Sequence, residues 1–411
     1  MILLLTMIKF RNNLPVLILV LCGLLWPVKS LYADDQNQDA IPADKIQQFV
    51  EVFKRVKEQY VDDIDDEVLF DFAIQGMVSS LDPHSSFLSK DDFNELKIGT
   101  TGRFGGLGIE ITMEDGFVKI ISPIDDTPAS RAGLKSGDFI TKIDETLVKG
   151  LTIGEAVKLM RGKPGSQVTI TVVREGETKP LIIDLTREII VAKGVKSELI
   201  DSNIGYIRLS SFQSQSTKHI HDSVLKLKKD SGNELKGLVL DLRNNPGGVL
   251  GSAVGIADLF LSEGKIVYTK GRTSNSDLEY FATSQDIIDD IPMIVLINEG
   301  SASASEIVAG ALQDNKRAKV LGTKSYGKAS VQTIQEFSDG TALKLTTARY
   351  FTPNGRDIHT EGIEPDIIIE RERKNAEGEK TVTISSELLQ DDNQLTEALK
   401  VIETLTTSKI Y

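Results

Sequence analysis

From Asp44 to Tyr60 apolar residues recur at Ile46, Phe49, Val50, Phe53, Val56 and Tyr60, the three-and-four spacing that lines one face of a helix. A second helical pattern runs from Val68 to Leu81 and stops at Asp82-Pro83, because proline disfavours helix in the residue before it. Together they predict a helical N-terminal region. The following Ser-Leu-Asp-Pro-His-Ser-Ser-Phe, Ser80 to Phe87, reads as a turn-rich connection. From Gly102 to about Arg187 the pattern shortens to β-type runs split by Gly, Pro and Asp. Residues 117–121 and 168–173 are strands by their β-branched content, and Glu155 to Met160 is a short helix. From Lys193 onward strands at 204–209, 237–242 and 293–297 alternate with helices at His219 to Lys228, Leu250 to Leu261 and Ser303 to Asp314. Such alternation predicts a layered α/β domain. The polar stretch from Thr269 to Asp290 reads as a surface excursion. Near the end, Leu395, Ala398, Leu399 and Ile402 form a helical stripe that Asp391-Asp392-Asn393 can cap. That stripe and the N-terminal helices would either build a dimer interface or pack on their own chain.

Composition narrows the class. A chain of 411 residues with 40% hydrophobic content holds two or three domains with ordinary cores. The formal charge of −13 argues against nucleic acid as a partner and against tight docking on anionic lipid. Lys9 and Arg11 precede an apolar stretch from Leu14 to Trp26, and a small-residue exit follows at Ala33. This order predicts a secretory signal peptide, since the apolar run is shorter than the roughly 20 residues that span a bilayer. An uncleaved anchor is the alternative. Cys22 lies inside this segment and is the chain's one cysteine, so a processed chain would have neither disulfides nor a thiol nucleophile.

Two stretches carry the candidate chemistry. Gly300-Ser301-Ala302-Ser303-Ala304-Ser305-Glu306-Ile307 places small hydroxyl residues at the start of a helical pattern, and Gly327-Lys328-Ala329-Ser330-Val331-Gln332 follows. A serine attacks only if a base takes its proton and donors stabilise the oxyanion. The four histidines, His84, His219, His221 and His359, show no arrangement with Ser and Asp of the familiar triads. Lysine serves as base when burial keeps it neutral, and the small neighbours of Lys328 let it be drawn inward. Asp241-Leu242-Arg243-Asn244-Asn245-Pro246-Gly247-Gly248 follows a strand; its glycines let a substrate carbonyl approach the main chain closely. Gly105-Gly106-Leu107-Gly108-Ile109 precedes a predicted strand, and Thr127-Pro128-Ala129, Ala132-Gly133-Leu134, Gly137-Asp138 and Arg161-Gly162-Lys163-Pro164-Gly165 follow in order.

These ordered anchors resemble a PDZ domain of the bacterial protease type, and the whole chain resembles the C-terminal processing (tail-specific) serine proteases of peptidase family S41. Residues 80–87 also match a stretch found before the peptide-binding module in that family. The resemblance implies a multi-domain α/β protein: signal peptide 1–33, helical region 34–100, an inserted, β-barrel-like PDZ domain 101–187, a layered ClpP/crotonase-like protease core 188–375, and a C-terminal helical region 376–411. In the family pattern the lysine follows the nucleophile by twenty-five residues and a glutamine follows the lysine by four, which selects Ser303, Lys328 and Gln332. Ser301 and Ser305 are then left to bond the first helical turn. The oxyanion donors implied are the amide of Ala304 and one from Gly248 or Gly247. Gly106, Leu107, Gly108 and Ile109 would bind a peptide tail, with a strand added beside Ile109 to Thr112, and Arg161 would contact the peptide or the catalytic domain. The implied function is an exported, periplasmic or cell-envelope endopeptidase acting on proteins with hydrophobic C-termini. No metal or organic cofactor is implied. A homo-oligomer and membrane attachment through the N-terminal segment stay open. The alternatives are a catalytically silent PDZ scaffold and a crotonase-type acyl-thioester enzyme, whose core shares the strand and Gly-Gly turn.

Overall fold

The computed structural model describes residues 41–192, 194–200, 203–283, 286–371 and 392–408. The expected signal peptide therefore lies outside the described residues. The chain divides into two compact units, one ending at Phe72 and a second beginning at Ala73. In the first, α1 (Ala43–Gln59) presents the predicted stripe, and Phe53 stacks on Phe70 at 4.7 Å between ring centroids. Phe70 belongs to α2 (Asp66–Ser79), which runs on into the second unit.

The second unit opens with β1 (Ser86–Leu88) and α3 (Lys90–Thr101). The sequence pattern does not predict α3, although Ser89 caps it by accepting from the Asp92 amide at 3.2 Å. Then come β2 (Arg103–Gly106), β3 (Ile109–Glu114), β4 (Phe117–Pro123), the one-turn α4 (Pro128–Arg131), β5 (Phe139–Ile143), β6 (Thr146–Leu147), α5 (Ile153–Met160), β7 (Gln167–Val173), β8 (Leu181–Thr186) and β9 (Glu188–Val191). Strands β3-β4-β5-β7-β8 form one antiparallel sheet with β3 at an edge. Val118, Ile120, Ile140, Ile143, Ile170 and Val172 alternate into its core, closed by Ala156 and Met160 of α5. Helix α5 begins two residues before the predicted start because Thr152 and Glu155 form a reciprocal capping box.

The remaining chain carries β10 (Val195–Ile200), β11 (Ile204–Leu209), α6 (Ser216–Asp230), β12 (Gly237–Asp241), α7 (Leu250–Asp258), β13 (Lys265–Gly271), β14 (Glu279–Phe281), β15 (Met293–Ile297), α8 (Ala304–Asp314), β16 (Lys319–Gly322), β17 (Ser330–Glu336), β18 (Ala342–Phe351), β19 (Ile367–Ile368) and α9 (Asn393–Ser408). A six-stranded sheet orders β10-β11-β12-β15-β16-β19, parallel except for the β10–β11 pair. Strands β12 and β15 are buried along their whole length, as expected where helices cover both faces. One face packs on α6, α7 and α8. The other receives Leu395, Ala398 and Ile402 of α9 against Val239, Ile294, Leu296 and Leu321, so the C-terminal stripe packs on its own chain. Asp392 caps α9, its carboxylate accepting from the Leu395 amide at 3.0 Å. The stretch expected as a surface excursion is instead partly ordered: β13 and β14 pair, join β18 in a second sheet with β1 and β17, and Ile288 is fully buried.

Candidate active site

The parallel strands deliver three loops to one edge of the sheet, as expected at the carboxyl ends of such strands. Residues 242–248 follow β12, 298–303 follow β15, and 323–329 follow β16. Asn245 is fully buried and organises the first loop. Its side chain donates to the Leu209 carbonyl at 2.8 Å and accepts the Gly247 amide at 2.9 Å. Its carbonyl accepts from the Ala302 amide at 3.0 Å and the Ser305 hydroxyl at 2.8 Å, joining the first loop to the second. Gly247 has φ 103°, and a Cβ there would lie 2.8 Å from both the Ala302 oxygen and the Ser303 Cβ. Only glycine allows this approach. The Gly247 amide is thus engaged, whereas among the described residues the amides of Gly248 and Ala304 have no hydrogen-bond partner.

Ser303 sits immediately before α8 with φ 56° and ψ −113°, a strained geometry for a residue with a side chain. Its amide donates to Glu306 Oε2 at 2.7 Å, and its carbonyl accepts from the Tyr350 hydroxyl at 3.1 Å. The neighbouring serines do not bond the first helical turn as expected. Ser301 is fully buried and donates to the Leu242 carbonyl at 2.8 Å, while Ser305 donates to the Asn245 carbonyl. Both tie loops together, which leaves Ser303 as the half-exposed hydroxyl of the three.

Lys328 is half-buried. Its amide donates to Glu306 Oε2 at 2.9 Å and its carbonyl accepts from the Tyr350 hydroxyl. Burial holds the Lys328 amine below its ordinary range, and the charge of Lys344 pushes the same way against Asp82 and Glu306. Gln332 lies on β17, its side-chain nitrogen donating to Ser330 Oγ at 2.9 Å and Thr346 Oγ1 at 3.3 Å. Ser303, Ala304, Gly248, Lys328 and Gln332 all line one cleft of about 370 Å³, with Leu96, Leu250, Ile307 and Ile334 among its apolar walls. A larger hollow of about 570 Å³ opens by Met293 and Lys319, where β15 and β16 begin. It lies at the opposite ends of those strands from the three loops.

Sequence reasoning missed Glu306. Its carboxylate is fully buried and accepts the amides of Ser303, Gly327 and Lys328 and the Ser325 hydroxyl. It thereby fixes the backbones of the serine and the lysine to one group. The spacing Ser303-x-x-Glu306 was a visible signal, because a glutamate three residues after a helix-starting serine reaches back to that residue's amide. Tyr350, also buried, bonds both loops through its hydroxyl, and burial together with the Glu306 charge raises its pKa well above the usual phenol value. No sequence pattern points to it.

In the smaller domain Gly106 ends β2, Leu107 is buried in the core, Gly108 takes φ 77°, and Ile109 starts the edge strand β3. Among the described residues the amides of Leu107 and Gly108 have no partner. Ala156 and Met160 of α5 are core residues, which leaves Ile153 and Val157 on the more open side of that helix. Arg161 pairs with Glu95 of α3 at 2.8 Å, and its guanidinium lies 4.6 Å from the Phe104 ring centre. Among the described residues no group of three His, Cys, Asp or Glu could hold a metal ion.

Comparison with known proteins identifies the family. Residues 203–369 match the model of peptidase family S41, residues 105–185 that of the PDZ domain, and residues 28–92 that of the activating protease CtpB N-terminal domain. A "Carboxy-terminal-processing protease" of Bartonella bacilliformis is 48% identical over 328 residues, covering 80% of this chain and 75% of that protein. A "Probable CtpA-like serine protease" of Staphylococcus aureus is 41% identical over 325 residues, 78% of this chain, which spans only 64% of that longer relative. Among solved structures, a "photosystem II D1 C-terminal processing protease" overlays with TM-score 0.46 at 31% identity, covering 80% of this chain and 94% of that one. The chain belongs to peptidase family S41, in its PDZ-bearing class of carboxy-terminal-processing serine peptidases.

Proposed function

We propose that this chain is an exported endopeptidase that cleaves peptide bonds with Ser303 as nucleophile, Lys328 as base and Gln332 as the group that orients the lysine. The single observation that carries this reading is the shared anchoring of Ser303 and Lys328 on Glu306, beside a lysine whose amine burial drives toward neutrality. The neutral amine takes the Ser303 proton as Oγ attacks the scissile carbonyl. The amides of Gly248 and Ala304, which have no partner among the described residues, serve as the oxyanion donors, whereas the Gly247 amide is bonded to Asn245. Lys328 then protonates the leaving amine, and a water, deprotonated by the same lysine, releases the acyl group.

The PDZ domain, taken as residues 101–187 beside a core of residues 188–375, captures the substrate's tail. The open amides of Leu107 and Gly108 bind the terminal carboxylate, the peptide adds to the free edge of β3, and Ile153 and Val157 receive an apolar last side chain. Arg161, at the end of α5, stands between this groove and α3 through Glu95. Export fits the charged and apolar order of residues 9–33.

The test is cleavage of an unstructured fluorogenic peptide ending in apolar residues with a free carboxylate. Ser303→Ala and Lys328→Ala should each lower kcat by about 10³-fold or more, and amidating the tail should raise KM about tenfold by removing a charged hydrogen-bond acceptor. Full turnover by either variant would sink the assignment, and binding without cleavage by the unmutated chain would favour the silent scaffold.

A further inference from the structure

The turn at Ser80 to Phe87 reaches the active cleft by a route that the proposed chemistry has not used. Strand β1 pairs with β18 so that Ser86 lies opposite Lys344. A bulge between Val331 and Gln332 sets Gln332 opposite Thr346 of the same strand. Thr346 is therefore flanked on one side by the turn and on the other by Gln332. Its hydroxyl lies 3.2 Å from Asp82 Oδ1 and 3.3 Å from Gln332 Nε2, and its amide donates to Ser85 Oγ at 3.0 Å.

Proton counting fixes the direction of every bond in this chain. Asp82 accepts the amides of His84 and Ser85 at 2.7 and 2.9 Å and the Ser85 hydroxyl at 2.8 Å. Burial alone would raise its pKa, but these bonds and that from Thr346 outweigh it and hold the carboxyl below the usual range. An ionised carboxylate only accepts, so Thr346 spends its one hydroxyl proton on Asp82. The Thr346 oxygen can then only accept from Gln332, which turns the amide nitrogen toward Thr346 and Ser330. The amide oxygen is left as an acceptor with no partner among the described residues, on a side chain that lines the same cleft as Lys328. A neutral lysine has two N–H bonds and one lone pair. An N–H donated to that oxygen would keep the lone pair off Gln332 and leave it for the serine hydroxyl that lines the same cleft. Without Asp82 the amide would be free to flip and offer its NH₂ to the amine, which the lone pair would then accept.

We propose that Asp82 is a positioning residue for the Lys328 base, acting through Thr346 and Gln332 by fixing the orientation of the glutamine amide. The inference rests on the Ser303–Lys328 reading and extends it to a residue far away in sequence that touches neither substrate nor lysine.

The experiment is a double-mutant cycle on kcat and KM with the same peptide. Thr346→Val, which keeps shape and removes the hydroxyl, should lower kcat about tenfold or more with KM within about twofold, and Thr346→Ser should bring kcat back to within about threefold. Gln332→Ala with Thr346→Val should be no slower than Gln332→Ala alone, because the hydroxyl acts only through the amide. Thermal unfolding checks that each variant is folded, with Thr346→Ala replacing the valine variant if that one is not. Additive losses in the cycle, a loss confined to KM, or full kcat in folded Thr346→Val would each overturn the relay. Those results with inactive Ser303→Ala and Lys328→Ala refute the relay alone, whereas activity in those two variants refutes the underlying reading.

Discussion

At Ser303 the backbone occupies a region that residues with a Cβ enter only under constraint, and the constraint is visible. The Glu306 carboxylate holds the amide, the Tyr350 hydroxyl holds the carbonyl, and the glycine at 247 lets the neighbouring loop press against the serine's Cβ. Strain of this kind costs on the order of 1–3 kcal/mol, so removing the restraints should relax the serine before it unfolds the domain. Spacing to Lys328 and Gln332 in the family pattern is what singles out Ser303 for the proposal, and the bonds of Ser301 and Ser305 to neighbouring loops are consistent with it. Tyr350 was not legible, since its role depends on a fold that brings β18 under two loops at once. Electrostatics at this scale gives a prediction with a definite sign. The Lys344 charge lowers the Lys328 pKa, after burial as the larger cause, while Asp82 and Glu306 oppose it. Lys344→Met removes a lowering influence, so the Lys328 pKa rises and the neutral amine appears only at higher pH. The pH at half-maximal kcat should therefore move to the alkaline side of that of the unmutated chain. A shift to lower pH would contradict the placement of Lys344 beside the base.

At the scale of elements, the six-stranded sheet explains why residues far apart in sequence meet. Strands β12, β15 and β16 run parallel in register, Leu240 beside Val295 and Val295 beside Val320, so their following loops emerge side by side. The long apolar runs of β12 and β15 and the helical periodicity of α6, α7 and α8 made these elements readable. Helix α3 was not, because of its twelve residues only Phe93 is fully buried and little apolar period marks it. The β13–β14 hairpin was hidden for a different reason: Ile266 and Val267 of β13 are buried against α7 and α8, but β14 has only Tyr280 half-buried and polar residues fill the turn between the two strands. Helix α9 secures the sheet's second face, and Asp392 at its start also receives, at 2.7 Å, Arg243 within the loop that carries Gly247 and Gly248. Ile402 is 1% exposed, and a Cβ on Gly237 would lie 2.3 Å from its Cγ2, so the helix sits directly on the start of β12. Ile402→Ala should cost about 2–5 kcal/mol by leaving a cavity there, seen as a fall in denaturant midpoint at unchanged m-value. A loss below about 1 kcal/mol would mean that α9 adds little to the core.

Across the whole molecule, one polypeptide joins a PDZ domain to an S41 peptidase core within the same compact unit. The change from short β-type runs to alternating strands and helices could be read from texture, whereas the PDZ assignment came from ordered motifs that resemble the family. What the sequence withheld was the reach of the turn at residues 80–87, which lies outside both parts in the chain yet meets the cleft through β18. Everything proposed for this assembly depends on Ser303 being a nucleophile that Lys328 activates. The direct measurement is the rate at which a fluorophosphonate labels the intact chain across a pH series, with the labelled residue mapped by mass spectrometry. Modification should fall on Ser303, accelerate as pH rises through the Lys328 ionisation, and drop by at least about 10²-fold in Lys328→Ala. Labelling at another serine, or the same rate and pH profile in Lys328→Ala, would contradict the account.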